Sequence, residues 1–153
     1  MNREIIDIND CTILLEEATT NSTNLVDTCY FDEPVIAIAF YGSGDVGLKV
    51  KYNGKTKEFQ QTKGMILSFY ADENVAFEHH VSNEKPLQCL VIATTVRNLD
   101  KLPNGEGEFL EQFLSQLVHP KDHYVEGPVF KMTPEMFVLV EQFFNNSYEF
   151  IFK

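Results

Sequence analysis

Residues 45–62 read DVGLKVKYNGKTKEFQQT, and their alternation decides the class of fold. Val46, Leu48, Val50 and Tyr52 fall on one face of an extended chain, while Lys49 and Lys51 fall on the other. That is the period-two pattern of a strand with one buried side. Asn53-Gly54 follows, the pair best suited to a type I′ hairpin turn, whose two central residues both need positive φ. The return strand is KTKEFQQT, so this stretch predicts an antiparallel hairpin.

The same pattern extends in both directions. Lys63-Gly64 turns the chain into MILSFY; NVAFEHHVS and PLQCLVIAT supply two more strands separated by a polar NEK. Upstream, CTILLEEA and VIAIAFYG read as strands and VDTCYF as a weaker one. Short strands about ten residues apart, joined by hairpin turns, predict an antiparallel sandwich or small barrel. VIAIAFY breaks the alternation. Val35, Ala37, Ala39 and Tyr41 make one apolar face and Ile36, Ile38 and Phe40 the other, so both sides of this strand require cover. Ala37 and Ala39 are small enough to leave room for a cavity if their face points inward.

Past residue 97 the period lengthens. In GEFLEQFLSQLV the apolar positions are Phe109, Leu110, Phe113, Leu114, Leu117 and Val118, the spacing of an amphipathic helix. A second helix starts at Thr133, a capping residue followed by Pro134 at the first helical position. This helix is apolar over Met136, Phe137, Val138, Leu139 and Val140, then at Phe143 and Phe144. So wide an apolar surface exceeds what one flank against a barrel requires, and predicts contact with a further surface.

The totals narrow the function classes. At 153 residues and 44% apolar composition, the chain suits a single packed domain. Thirteen Phe and no Trp make its core phenylalanine-based. No apolar run approaches the roughly 18 residues that span a membrane, and MNREIIDIND lacks the apolar stretch of a signal peptide; a cytoplasmic location is expected. The formal charge of −11, with Arg3 and Arg97 the only arginines, argues against nucleic-acid binding by this chain, because phosphate recognition draws on clustered Lys and Arg. Cys11, Cys29 and Cys89 are far apart and form no C-x-x-C, which excludes a zinc ribbon or thioredoxin motif and suits a reducing compartment. Cys89, inside LQCLVIA, reads as a small buried hydrophobe.

Catalytic signatures are missing. Adjacent residues on a strand point to opposite faces, so His79 joins Val75, Phe77 and Val81, and His80 joins Ala76 and Glu78. The two histidines therefore cannot share a metal inside the fold, and the H-x-H spacing with a nearby carboxylate is absent. His79 reads as a hydrogen-bonded core histidine or a polar handle in a cavity. His119 and His123 stand at i, i+4, but Pro120 argues against a helix there and for surface-loop histidines. No nucleophile motif, phosphate loop or convergent carboxylate pair is present. No catalytic residue, metal or cofactor is expected.

The order of features, VIAIAFYGSGDVGLKVKYNGKTKEFQQTKGMILSFY, then LVIATTVRNLDKL, an amphipathic helix, and VEGPVFKMTPEMFVLVEQFF with a polar NNSYE, resembles the N-terminal sensor region of AraC-type transcription regulators. Within that superfamily it is most similar to the pyochelin-regulator-like group, from about Pro34 to Glu149, with Thr133-Pro134-Glu135-Met136 and Phe143-Phe144 as the most specific pieces. The resemblance implies a mainly β, cupin-like antiparallel barrel or sandwich over residues 1–96. A helical dimerisation and packing segment over 97–153, with two C-terminal helices, would follow. It also implies a ligand-sensing and dimerisation domain of a bacterial regulator, a homodimer that responds to a small-molecule effector and reaches DNA only through a further C-terminal domain. Phe150, Ile151 and Phe152 would then open the next helical segment. Strand alternation nominates His79, Phe77, Tyr41 and Tyr70 as ligand-lining residues, and the wide apolar surface of the second helix nominates Met136, Phe137, Val140, Phe143 and Phe144 as the dimer or packing face. The alternatives are a small cupin-type metalloenzyme, which needs three or four converging ligands, and a stand-alone dimerising barrel without ligand.

Overall fold

A computed structural model describes residues 2–8, 11–18, 25–82, 84–96 and 121–145. Ten strands and one helix follow in chain order: β1 (Asn2–Ile8), β2 (Cys11–Ala18), β3 (Leu25–Cys29), β4 (Val35–Tyr41), β5 (Gly47–Tyr52), β6 (Lys55–Phe59), β7 (Met65–Ala71), β8 (Ala76–Val81), β9 (Leu87–Thr95), β10 (Tyr124–Lys131) and α1 (Pro134–Asn145). They form a six-stranded sheet, β1-β2-β9-β4-β7-β10, facing a four-stranded sheet, β3-β8-β5-β6. All neighbours are antiparallel.

The 45–62 hairpin forms as its sequence dictates. Asn53 and Gly54 both adopt positive φ, 53° and 73°, as a type I′ turn requires. Val46, Leu48 and Val50 are buried while Lys51 is exposed. Asp45 closes the far end: its Oδ1 accepts from the backbone N–H of Thr62 (2.9 Å) and of Lys63 (3.1 Å). β6 is the edge of its sheet, and Lys55 and Lys57 along it guard that edge against stray strand pairing.

The expected barrel does not close. Among the described residues no backbone ladder joins the two sheets; side chains bridge both seams instead. At one seam Arg3 on β1 reaches Asp27 on β3 (3.3 Å). At the other, Lys55 and Lys57 of β6 reach Asp122 (3.1 Å) and Glu126 of β10 (3.9 Å). The architecture is a sandwich.

Both faces of β4 are covered, as its sequence demands. Val35, Ala37, Ala39 and Tyr41 point into the layer between the sheets, with Leu48, Val50, Leu67, Phe69, Phe77 and Val81. Phe31, Phe69, Phe77 and Tyr124 form a ring cluster there, with Phe69 and Phe77 centroids 5.1 Å apart. Ile38 and Phe40 face outward into a second cluster with Ile13, Leu15, Ile66 and Leu90, capped by Met132 and α1. Helix α1 is the one helix among the described residues, whereas two were expected; the first, over Phe109–Val118, lies outside them. Thr133 Oγ1 accepts from Met136 N–H at 3.2 Å, the N-cap bond that Thr133-Pro134 predicts.

Two strands escaped the sequence reading. β1 pairs with β2 from Asn2↔Glu17 to Ile8↔Cys11, in a stretch read only for its lack of a leader. β10 runs through VEGPVFK, a stretch for which no strand was expected and which Gly127-Pro128 interrupts. The ladder to β7 shifts register between Glu126 and Val129, so Pro128, which has no N–H to donate, sits in an irregularity of an edge strand.

Gly64 makes a sharp test of the helix-to-sheet contact. Its φ is +74°, and a Cβ there would stand 2.7 Å from Phe137 Cζ on α1. Gly64→Ala should lower stability by about 1–2 kcal/mol from backbone conformation alone. The clash adds to this, and Phe137→Leu should recover the part due to the clash. Urea unfolding of both single variants and the double variant measures it; additive losses would place Phe137 elsewhere.

Candidate functional site

Strand register places a polar row inside an otherwise apolar layer. In the six-stranded sheet Arg3 stands opposite Glu16, Glu16 opposite Cys89, and Cys89 opposite Tyr41. In the four-stranded sheet Asp27 stands opposite His79, with Cys29 two residues along β3. Residues opposed in an antiparallel pair share a face, so these two rows confront each other across the sandwich. Tyr41 Oη lies 2.8 Å from His79 Nε2, the hydrogen bond that ties the rows together. Arg3 Nη2 lies 3.4 Å from Glu16 Oε2 and 3.3 Å from Asp27 Oδ2. Donor atoms of Glu16, Asp27, Cys29 and His79 all lie within 4.8 Å of one another. Among the described residues, these four are the group that could hold a metal.

Burial sets the protonation states. Glu16 is 2% exposed and His79 3%. Burial lowers His79 to about 4, helped by the nearby Arg3 and His80 charges, so the ring is neutral. Burial also raises Glu16 above the usual carboxylate value against the pull of Arg3, and pushes the Cys29 thiol up to about 12, with the Glu16 charge adding to it. Tyr41 is driven well above its ordinary value by burial. The row thus holds its groups close together and uncharged where it can, apart from the arginine–carboxylate contacts.

A cavity of about 390 Å³ opens beside this row; its lining includes the charged Arg3, Asp7, Glu16 and Asp32 and the apolar Leu14, Phe31 and Val91, together with Ala93 and Cys29. It is built by β1, β2, β9, the end of β3 with residues 30–32, and the start of β4. None of the four nominated ligand residues lines it. Tyr41, Phe77 and His79 do lie between the sheets, but as packed core: Phe77 belongs to the ring cluster, and Tyr41 and His79 hold each other. Tyr70 is on the outer side of β7, opposite in sense to Phe69, which faces the interior. The small residue that leaves room is Ala93 on β9; Ala37 and Ala39 of β4 are absent from the lining. Alternation finds the inward face of each strand. It cannot find which strands of two sheets confront one another, and the approach of Glu16 to Asp27 was not expected.

The packing residues of α1 fall as their spacing suggests, within this chain. Val140 is buried, and Met136, Phe137, Phe143 and Phe144 pack on the outer cluster. Val138 and Leu139 remain 54% and 57% exposed. His123 hydrogen-bonds Asp72 (2.6 Å), which raises its pKa; His119 lies outside the described residues.

No family model matches the chain, and no curated protein matches it. Among solved structures it is similar to a cupin protein from Bacteroides fragilis, at 12% identity and TM-score 0.41, over 61% of this chain and 76% of that one. It is similar also to vicilin from Corylus avellana (14% identity, TM-score 0.44, 87% of this chain, 39% of that one) and to the AraC-like transcriptional activator CuxR (6% identity, TM-score 0.43, 74% of this chain, 44% of that one). The chain spans less than half the length of the latter two. Among the described residues no helix is long and apolar enough to cross a membrane.

The buried histidine makes stability depend on pH with a definite sign. The folded His79 value, about 4, lies below the unfolded value of 6.5. Between them the unfolded chain binds the extra proton, so stability is full above the unfolded value and is lost as pH falls toward the folded one, by about 3 kcal/mol at most. Glu16, raised on folding, acts in the opposite sense: its share is held when protonated and lost as pH rises. The urea midpoint should therefore fall on acidification through this window. The fall should be shallower in His79→Gln and steeper in Glu16→Gln.

Proposed function

We propose that this chain is a ligand-sensing and dimerisation module of an AraC-type transcription regulator, without catalytic activity of its own. The observation that carries the reading is that one sheet serves both sides of the device. Its inner face borders the cavity, and its outer face is the floor of α1. β2 embodies this, with Leu14 lining the cavity while Leu15, next in sequence, lies in the cluster under the helix.

A small molecule of partly apolar, partly cationic character fits the lining. The aliphatic wall takes its body, and the carboxylates of Asp7 and Asp32 meet its charge, since the acids of the lining outnumber Arg3. A ligand changes the output only if it binds two arrangements with different free energies. A shift of β2 that reseats α1 supplies such a pair of arrangements. In this reading a second copy covers Val138 and Leu139, and DNA is contacted by a further domain, never by this acidic module.

Two measurements test the proposal. A thermal-shift screen of small organic amines should yield compounds that stabilise the wild type, by up to about 2.7 kcal/mol at a hundredfold excess over Kd. The same compounds should leave Ala93→Leu, whose side chain fills the cavity, unmoved; equal shifts in both proteins place binding elsewhere. In analytical ultracentrifugation Leu139→Lys should weaken self-association at least tenfold, with a melting temperature equal to the wild type's at dilutions where both are monomeric. A wild type that stays monomeric at high concentration removes dimerisation from the reading.

A further inference from the structure

We propose that Glu16, Asp27, Cys29 and His79 form a binding site for a divalent cation of the zinc class. The four side chains come from three strands of two different sheets, and only the folded sandwich brings them together. Each provides an atom of a type that zinc accepts: imidazole nitrogen, thiolate sulfur and carboxylate oxygen. The inference is independent of the regulatory reading, since a cation can occupy this cluster whatever the module controls.

The second observation is an unpartnered atom. His79 is 3% exposed, yet among the described residues its Nδ1 has no hydrogen-bond partner, although buried ring nitrogens are normally satisfied. Its other nitrogen lies 2.8 Å from the Tyr41 hydroxyl. In the tautomer whose Nε2–H donates to that hydroxyl, Nδ1 keeps a lone pair. This is how a ligating histidine is oriented in metal sites, where the second nitrogen is fixed by an outer partner.

Arg3 supplies the competing account, a guanidinium between two carboxylates. It explains the approach of Glu16 and Asp27 but leaves Cys29 and the His79 lone pair without a role. The arginine side chain is one-third exposed and sits on an edge strand, so it can swing to solvent when a smaller cation enters. Donor atoms around a tetrahedral zinc stand about 3.3–3.8 Å apart. The cluster must therefore contract by about 1 Å from its present limit, which side-chain rotation alone can supply.

The test titrates metal-free protein with Zn²⁺ against a chromophoric chelator and, in parallel, with Co²⁺ under an absorption spectrometer. One equivalent per chain and a thiolate-to-Co²⁺ charge-transfer band are expected. Cys29→Ser should lose that band while keeping the ligand-field bands of bound Co²⁺. His79→Gln should bind tenfold more weakly or worse, and Tyr41→Phe tenfold to a hundredfold more weakly, as outer-shell changes do. Arg3→Gln, which removes the competing cation, should bind more tightly. Far-UV circular dichroism checks each variant for folding, and the near-isosteric Cys29→Ser decides the question if His79→Gln unfolds. Absence of binding by the wild type, or a charge-transfer band that persists in Cys29→Ser, overturns the site. Affinity unchanged in Arg3→Gln puts the metal away from the carboxylates and overturns it equally.

Discussion

Everything in this fold follows from a sheet that is apolar on both sides. β4, VIAIAFY, is apolar along its length apart from the Tyr41 hydroxyl, and β7 is buried throughout. An antiparallel sheet ordinarily gives one face to water; this one cannot. Its inner side is covered by the four-stranded sheet and its outer side by α1. Hydrophobic burial is worth roughly 25 cal/mol per Å² of apolar surface. Neither layer can therefore peel away without exposing a continuous apolar face, and a change on one side of the six-stranded sheet is felt on the other.

Against that apolar background the polar row is the exception. Burying a carboxylate, an imidazole and a thiol together is unfavourable unless they find partners. Tyr41 answers one nitrogen of His79, and Arg3 answers the two carboxylates. The cost concentrated here is the physical reason for reading the place as functional, because a sandwich built for stability alone would fill the same volume with aliphatic side chains.

What the sequence disclosed divides along a physical line. The hairpin at Asn53-Gly54, the inward faces of β4, β5 and β8, the inward His79 and the Thr133 cap were all legible, because each depends on local period or turn chemistry. β1 and β10 were not. The first is a polar edge strand whose apolar pattern is weak. The second is broken by Gly127-Pro128 at a register shift, where local signals say loop and the tertiary ladder overrides them. The site was half legible. His79 declared itself by alternation, but Glu16, Asp27 and Cys29 meet it only through the pairing of β3 with β8 and the stacking of one sheet on the other. No spacing along the chain encodes such long-range placement.

The seams carry a last consequence. Because charged side chains, rather than a ladder, bridge them at both margins, the sandwich behaves like a book with two clasps. Exposed ion pairs of this kind contribute about 0–1 kcal/mol each and are screened by electrolyte, while the apolar spine is not. Ionic strength therefore acts on the margins selectively. Concentrated salt weakens the contacts at Arg3 and at Lys57 and leaves the apolar packing between them in place.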